Sequence, residues 1–172
     1  MEKEGEILRK IHSNDPEQIE EAIQAVKESG DMAIAGAILG QLEQISGSRT
    51  MTSVVSLLAD IRESGFRDLV IRQLEETGNP ATQCQLLRII WESSLDYSAH
   101  LNLFMQILAQ AEFAVAFEAS TVIESMVSRL DRSQKEELHR FISGFDKDKF
   151  FLVENIHEEM HHCEDEEEDV RT

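Results

Sequence analysis

The sequence predicts an all-α protein, and three observations carry that prediction. Only 2 prolines and 8 glycines occur in 172 residues, so little interrupts a helix. Runs rich in Val, Thr and Tyr between turn clusters, the mark of strands, do not stand out. Apolar residues instead recur at three- and four-residue spacing through ten successive segments.

Five of these segments end on variants of one tetrapeptide. They are Val26-Lys27-Glu28-Ser29, Ile61-Arg62-Glu63-Ser64, Ile90-Trp91-Glu92-Ser93, Val122-Ile123-Glu124-Ser125 and, more loosely, Ile156-His157-Glu158-Glu159. Their first residues are separated by 35, 29, 32 and 34 positions. The residues three, four and seven positions before each anchor share one helical face. Those residues are Ile23, Ala22 and Ile19 in the first copy and Leu58, Leu57 and Val54 in the second. The third copy has Leu87 and Leu86, then Gln83 beside Cys84, and the fourth has Ala119 and Val115 with Glu118 interposed. The fifth has Val153 and Leu152.

Between these helices lie five further amphipathic segments. Segment 5–11 carries Ile7, Leu8 and Ile11; segment 34–45 carries Ile38, Leu39 and Leu42; segment 66–74 carries Leu69 and Val70. Segment 101–108 follows with Leu103, Phe104 and Ile107, and segment 134–142 with Leu138 and Phe141. Asn14-Asp15-Pro16 and Asn79-Pro80 mark helix starts, because an Asp or Asn can cap and proline is tolerated at the first helical position. Gly30 and Gly65 read as helix stops. A single hairpin of this size cannot bury its apolar face alone, so the expected arrangement is a stacked array of about five antiparallel hairpins.

The stretch "DPEQIEEAIQAVKESGDMAIAGAILGQL" resembles the HEAT repeat, with an Asp-Pro opening, spaced Ile, Ala and Val, and Gly-Asp leading into the next helix. "AEFAVAFEASTVIESMV" is similar to the corresponding helix of HEAT and armadillo units. The resemblance covers 15–42 well and 79–127 more loosely, and it implies a right-handed superhelix, an α-solenoid, over residues 1–163. The period near 33 is shorter than the roughly 40–47 residues of HEAT and armadillo units. Tetratricopeptide units have about 34 residues, but their Trp, Leu-Gly and Tyr positions do not recur here.

Composition limits the function. The hydrophobic content of 41% suffices for a real core, and 34 acidic residues outnumber 16 basic ones for a formal charge of −18. Nucleic-acid binders gain affinity by neutralising phosphates with Lys and Arg, so this balance argues against DNA or RNA as partner. The opening "MEKEGEILRK" lacks the apolar stretch of a signal peptide, and no apolar run approaches membrane-spanning length, so a cytoplasmic protein without a membrane partner is expected. The two cysteines, Cys84 and Cys163, imply no disulfide framework. Residues 164–172 hold 6 acids against 1 base and form an acidic tail expected to be disordered.

The chemistry-bearing motif is His157-Glu158-Glu159-Met160-His161, a literal H-E-x-x-H. That pattern places two histidines one helical turn apart to share a metal, but a hydrolytic site also needs a third ligand and a dry pocket. Only eleven residues follow His161, six of them in the acidic run, and the repeat accounts for the same letters. No catalytic residue and no cofactor are therefore expected. His157, His161, His162 and Cys163 remain candidate metal ligands, since imidazole and thiolate suit Zn, Ni or Cu. Phosphate loops and nucleophile elbows are not found in the sequence, and His12, His100 and His139 stand isolated.

The expected function is a non-enzymatic scaffold or adaptor that presents a curved helical surface to a protein or peptide with basic segments. The alternative is a metal-binding or lyase-type HEAT-like protein using the C-terminal His/Cys cluster. Lys27, Arg62, Trp91, Ile123 and His157 fall one per repeat on one flank and would line a partner-binding stripe, with the adjacent glutamates facing solvent. Trp91 reads first as packing between repeats, and Phe113 and Phe117 read as packing. Phe145, Phe150 and Phe151 make the last hairpin the end most suited to a homodimer contact.

Overall fold

Each of the ten apolar-periodic segments contributes an α-helix in the computed structural model, which describes residues 2–13, 15–29, 31–45 and 47–169, but the helix in segment 34–45 ends at Leu39 and Leu42 lies in a 3-10 turn, Leu42–Gln44. No strand occurs among the described residues. The chain divides into two compact units, Met1–Leu95 and Asp96–Thr172.

The first unit holds α1 (Glu2–Ile11), α2 (Pro16–Ser29), α3 (Met32–Leu39), α4 (Ser48–Ala59), α5 (Ser64–Glu76) and α6 (Pro80–Glu92). The expected starts are met by real caps. Asp15 Oδ1 accepts the Glu17 N–H at 3.1 Å, and Asn79 Oδ1 accepts the N–H groups of Ala81 and Thr82 at 2.9 and 3.3 Å. Asp31 caps α3 in the same way, accepting from Ala33 at 2.9 Å. These bonds satisfy donors that the helix itself leaves without partners. Helix α4 starts differently: Gly47 precedes it at φ +91°, a conformation open to glycine at no steric cost.

Packing in this unit follows chain order within two series. Helix α3 lies against α1 and α5, and α4 lies against α2 and α6, while α1 also packs on α2 and α5 on α6. Ile38, Val54, Leu58, Phe66, Leu86 and Leu87 are fully buried between them. Every residue placed on the core face of α2 and α4 by the repeat is buried except Ile23, which is half-exposed. Lys10 ties α1 to α2 through a 3.0 Å bond to Glu21, which with the nearby Glu6 holds its ammonium above the ordinary lysine value despite partial desolvation.

Gly30, one of the two expected helix stops, lies outside the described residues. Gly65 is no stop; it is the second residue of α5, and its φ is not left-handed as a glycine C-terminus requires. Helix α4 ends at Ala59, so Ile61, Arg62 and Glu63 form a non-helical link rather than the end of a helix.

The second unit holds α7 (Leu101–Gln110), α8 (Phe113–Met126), α9 (Arg132–Ser143) and α10 (Glu154–Asp169), with a 3-10 turn at Lys147–Leu152. Asp131 and Gln134 form a reciprocal capping box at the start of α9, with bonds of 2.9 and 3.0 Å. Gln134 also donates to the Ser98 carbonyl at 2.8 Å, tying α9 to the 3-10 turn Ser98–His100. Helix α8 packs on α7, on α10 and on the 3-10 turn at Lys147–Leu152, and α9 on α7 and α10. Phe104, Val122, Ile123, Leu138, Val153 and Ile156 form the buried interior. The backbone of residues 164–169 continues α10, since extending a started helix adds one hydrogen bond per residue fixed. Residues 170–172 of the acidic tail lie outside the described residues.

Candidate functional site

Helix α8 carries apolar residues on two opposite faces. Val115, Ala119, Val122 and Met126 point inward and are buried. At 100° per residue Phe113 and Phe117 lie about 160° from Val115, on opposite sides of that direction, and so fall on the outer face. There they are 63% and 53% exposed, with ring centroids 6.2 Å apart. They were expected to pack in the core, but the interior side of α8 is already filled by the aliphatic series, leaving the phenylalanines in solvent.

A third ring joins them from another element. The turn at Lys147–Leu152 buries Leu152 and leaves Phe150 and Phe151 exposed at 37% and 56%. Phe151 comes within 6.0 Å of Phe113, ring centre to ring centre. Aromatic pairs at this separation attract beyond simple area burial, which fixes three large rings as one patch. Phe145 is different: it is half-buried, with its ring 5.4 Å from that of Phe141.

The patch continues toward α10. Phe150 meets the His157 ring edge-on at 6.2 Å, and His157 meets His161 at 4.5 Å between centroids. The Nε2 atoms of the two histidines are 3.3 Å apart. Buried Ile156 and Met160 on the neighbouring face of α10 hold that helix in place. His162 is exposed on α10, and the Cys163 side chain lies outside the described residues. Among the described residues no group of three or more His, Cys, Asp or Glu side chains converges on one point.

The residues of the expected stripe are placed unequally. In the first unit Lys27 and Arg62 line one groove of about 270 Å³, together with Asp31, Asp60 and Glu63. Lys27 pairs with Asp60 at 3.1 Å, and Trp91 is half-buried. In the second unit His157 is half-exposed, but Ile123 has no exposed surface and offers a partner nothing. The reason is that α8 is covered by neighbours on several sides, so its buried arc is wide enough to include position 123. Of the glutamates beside the stripe, Glu28, Glu63 and Glu158 face solvent, whereas Glu92 and Glu124 are half-buried. Glu92 accepts a 2.7 Å bond from Arg88.

Charge frames the aromatic patch. The second unit has 18 acidic residues against 7 basic ones, a net −11. Glu112 precedes Phe113, and Asp148 and Glu154 flank Phe150 and Phe151 in the chain, all three exposed, with Lys149 as an exposed base among them. No described helix is long and apolar enough to cross a membrane. Compared with known proteins, the chain matches no family model, no curated protein and no solved structure.

Proposed function

We propose that the protein is a non-enzymatic cytoplasmic interaction module that docks a basic amphipathic helix on the patch formed by Phe113, Phe117 and Phe151. The observation that carries this reading is three phenylalanines joined through Phe113, whose ring meets those of both Phe117 and Phe151, each more than half exposed, in one otherwise charged unit. Leaving such rings in water forgoes about 1.5–3 kcal/mol of burial free energy apiece, which a partner's apolar face recovers on docking. Aromatic anchors inside a polar rim are also the usual concentration of binding energy at interfaces. The net −11 of the unit selects a cationic partner and disfavours a second copy of the same chain, whose charge would repel.

The scaffold in this proposal is a HEAT-like α-solenoid of about five hairpins. Its support is the chain-ordered packing of α1, α3 and α5 and of α2, α4 and α6, repeated in the second unit as α7 with α9 and α8 with α10. Each helix pair then buries its apolar face against the next.

Titration of the full-length protein with a fluorescent Leu/Lys amphipathic helical peptide tests the reading. Binding that weakens with added salt and falls on Phe113→Ser or Phe117→Ser is the expected result. Equal binding of a Leu/Glu peptide, or binding indifferent to both substitutions, would refute it. A concentration-dependent dimer abolished by Phe113→Ser would replace the basic helix with a second copy of the chain.

A further inference from the structure

We propose that His157 and His161 together form a binding site for Zn(II). Two imidazole nitrogens bound to one zinc at about 2.0–2.1 Å, in a near-tetrahedral arrangement, sit about 3.3–3.4 Å apart. The Nε2 atoms of His157 and His161 are 3.3 Å apart already. The separation already present is therefore the one a tetrahedral ion requires.

The two rings meet edge to face, at 72° between planes with centroids 4.5 Å apart. Without metal, one Nε2–H donates to the other Nε2, and a hydrogen bond of this kind keeps the pair convergent. When zinc enters, that proton moves to Nδ1 of the same ring, leaving both Nε2 lone pairs for the metal and both rings neutral. No proton is gained or lost in the exchange.

Support for the pair comes from its surroundings. His157 follows the buried Ile156, its backbone N–H donates to Val153 at 2.9 Å, and Phe150 stands edge-on against its ring. Met160, buried beside His161, fixes the next turn. The donors are therefore held on a helix anchored at both turns, while the exposed side of His161 leaves an entry path. Glu158, adjacent in sequence, is exposed. The site is a place to hold zinc, and no hydrolytic step follows from it.

Zinc chloride titrated into the full-length protein, followed by imidazole NMR resonances and calorimetry, tests the proposal. His157 and His161 should shift together and saturate at one equivalent. His157→Ala or His161→Ala should each weaken binding by at least about tenfold, as losing even an indirect support of a metal ligand commonly does, while His162→Ala changes it less than about twofold. Substitution of Co(II) should give the intense visible bands of a tetrahedral ion. Undiminished affinity in the His157→Ala/His161→Ala double variant would overturn the site, as would equal shifts at His12, His100, His139 and His162 or no saturable shift at all. Weak, octahedral-type Co(II) bands would overturn the geometric argument.

Discussion

Phe113, the first residue of α8, and Phe151, in the turn before α10, bring their rings to 6.0 Å although both are more than half exposed. The contact joins two surface elements through side chains that solvent would ordinarily disfavour. Its consequence is a patch of large rings that faces solvent.

Substitution of a ring in that patch should change stability much less than loss of a buried ring. Phe113→Ser is expected to lower the unfolding free energy by about 0.5–1.5 kcal/mol, roughly the worth of an aromatic pair. Phe66, fully buried in α5, is the contrast, and Phe66→Ala should cost about 3–5 kcal/mol. Urea unfolding followed by circular dichroism measures both. A large loss on Phe113→Ser would show that the ring is a structural support.

The helix caps give a second set of expectations. Asn79 satisfies two N–H groups at the start of α6, so Asn79→Ala should destabilise by about 1 kcal/mol, whereas Asn79→Gly should cost only a few tenths. Chemical denaturation of the two variants separates the cap from any effect of side-chain volume.

The ion pair of Lys27 with Asp60 should matter little. Its side chains are 44% and 65% exposed, and pairs in such positions are worth about 0.2–1 kcal/mol. Lys27→Ala should fall within that range at low salt and lose its effect as ionic strength rises, read from denaturation midpoints at two salt concentrations.

Much of this fold was legible from spacing. Leu57 and Leu58, Leu86 and Leu87, and Val115 and Ala119 are buried where a helical period puts them, because period and burial share one cause. Asn79-Pro80 likewise marked a helix start with a mechanism behind it. The six-residue turn at Lys147–Leu152 is too short to display a period, so Leu152 and Val153 were placed on the core face without the turn that puts Phe151 outside. Phe113 and Phe117 were misplaced because a phenylalanine's identity favours burial, while the deciding signal, their angle of about 160° from Val115, was present in the letters. The asparagine of a cap acts within three residues, whereas the contact of Phe113 with Phe151 spans the unit and depends on packing that no local pattern encodes.

The same division applies to the histidines. The four-residue spacing of His157 and His161 predicts one helical face, but only the packed helix sets Nε2 atoms 3.3 Å apart. Ile123 shows the converse, since its flank position held by spacing while its exposure was decided by the neighbours of α8.

The proposal that Phe113, Phe117 and Phe151 together receive a basic amphipathic helix is tested most directly by NMR of the protein labelled at phenylalanine rings and titrated with the Leu/Lys helical peptide. The rings of these three residues should shift together with one saturation curve while the buried Phe66 and Phe104 stay fixed. Saturable peptide binding that leaves Phe113, Phe117 and Phe151 unmoved would contradict it.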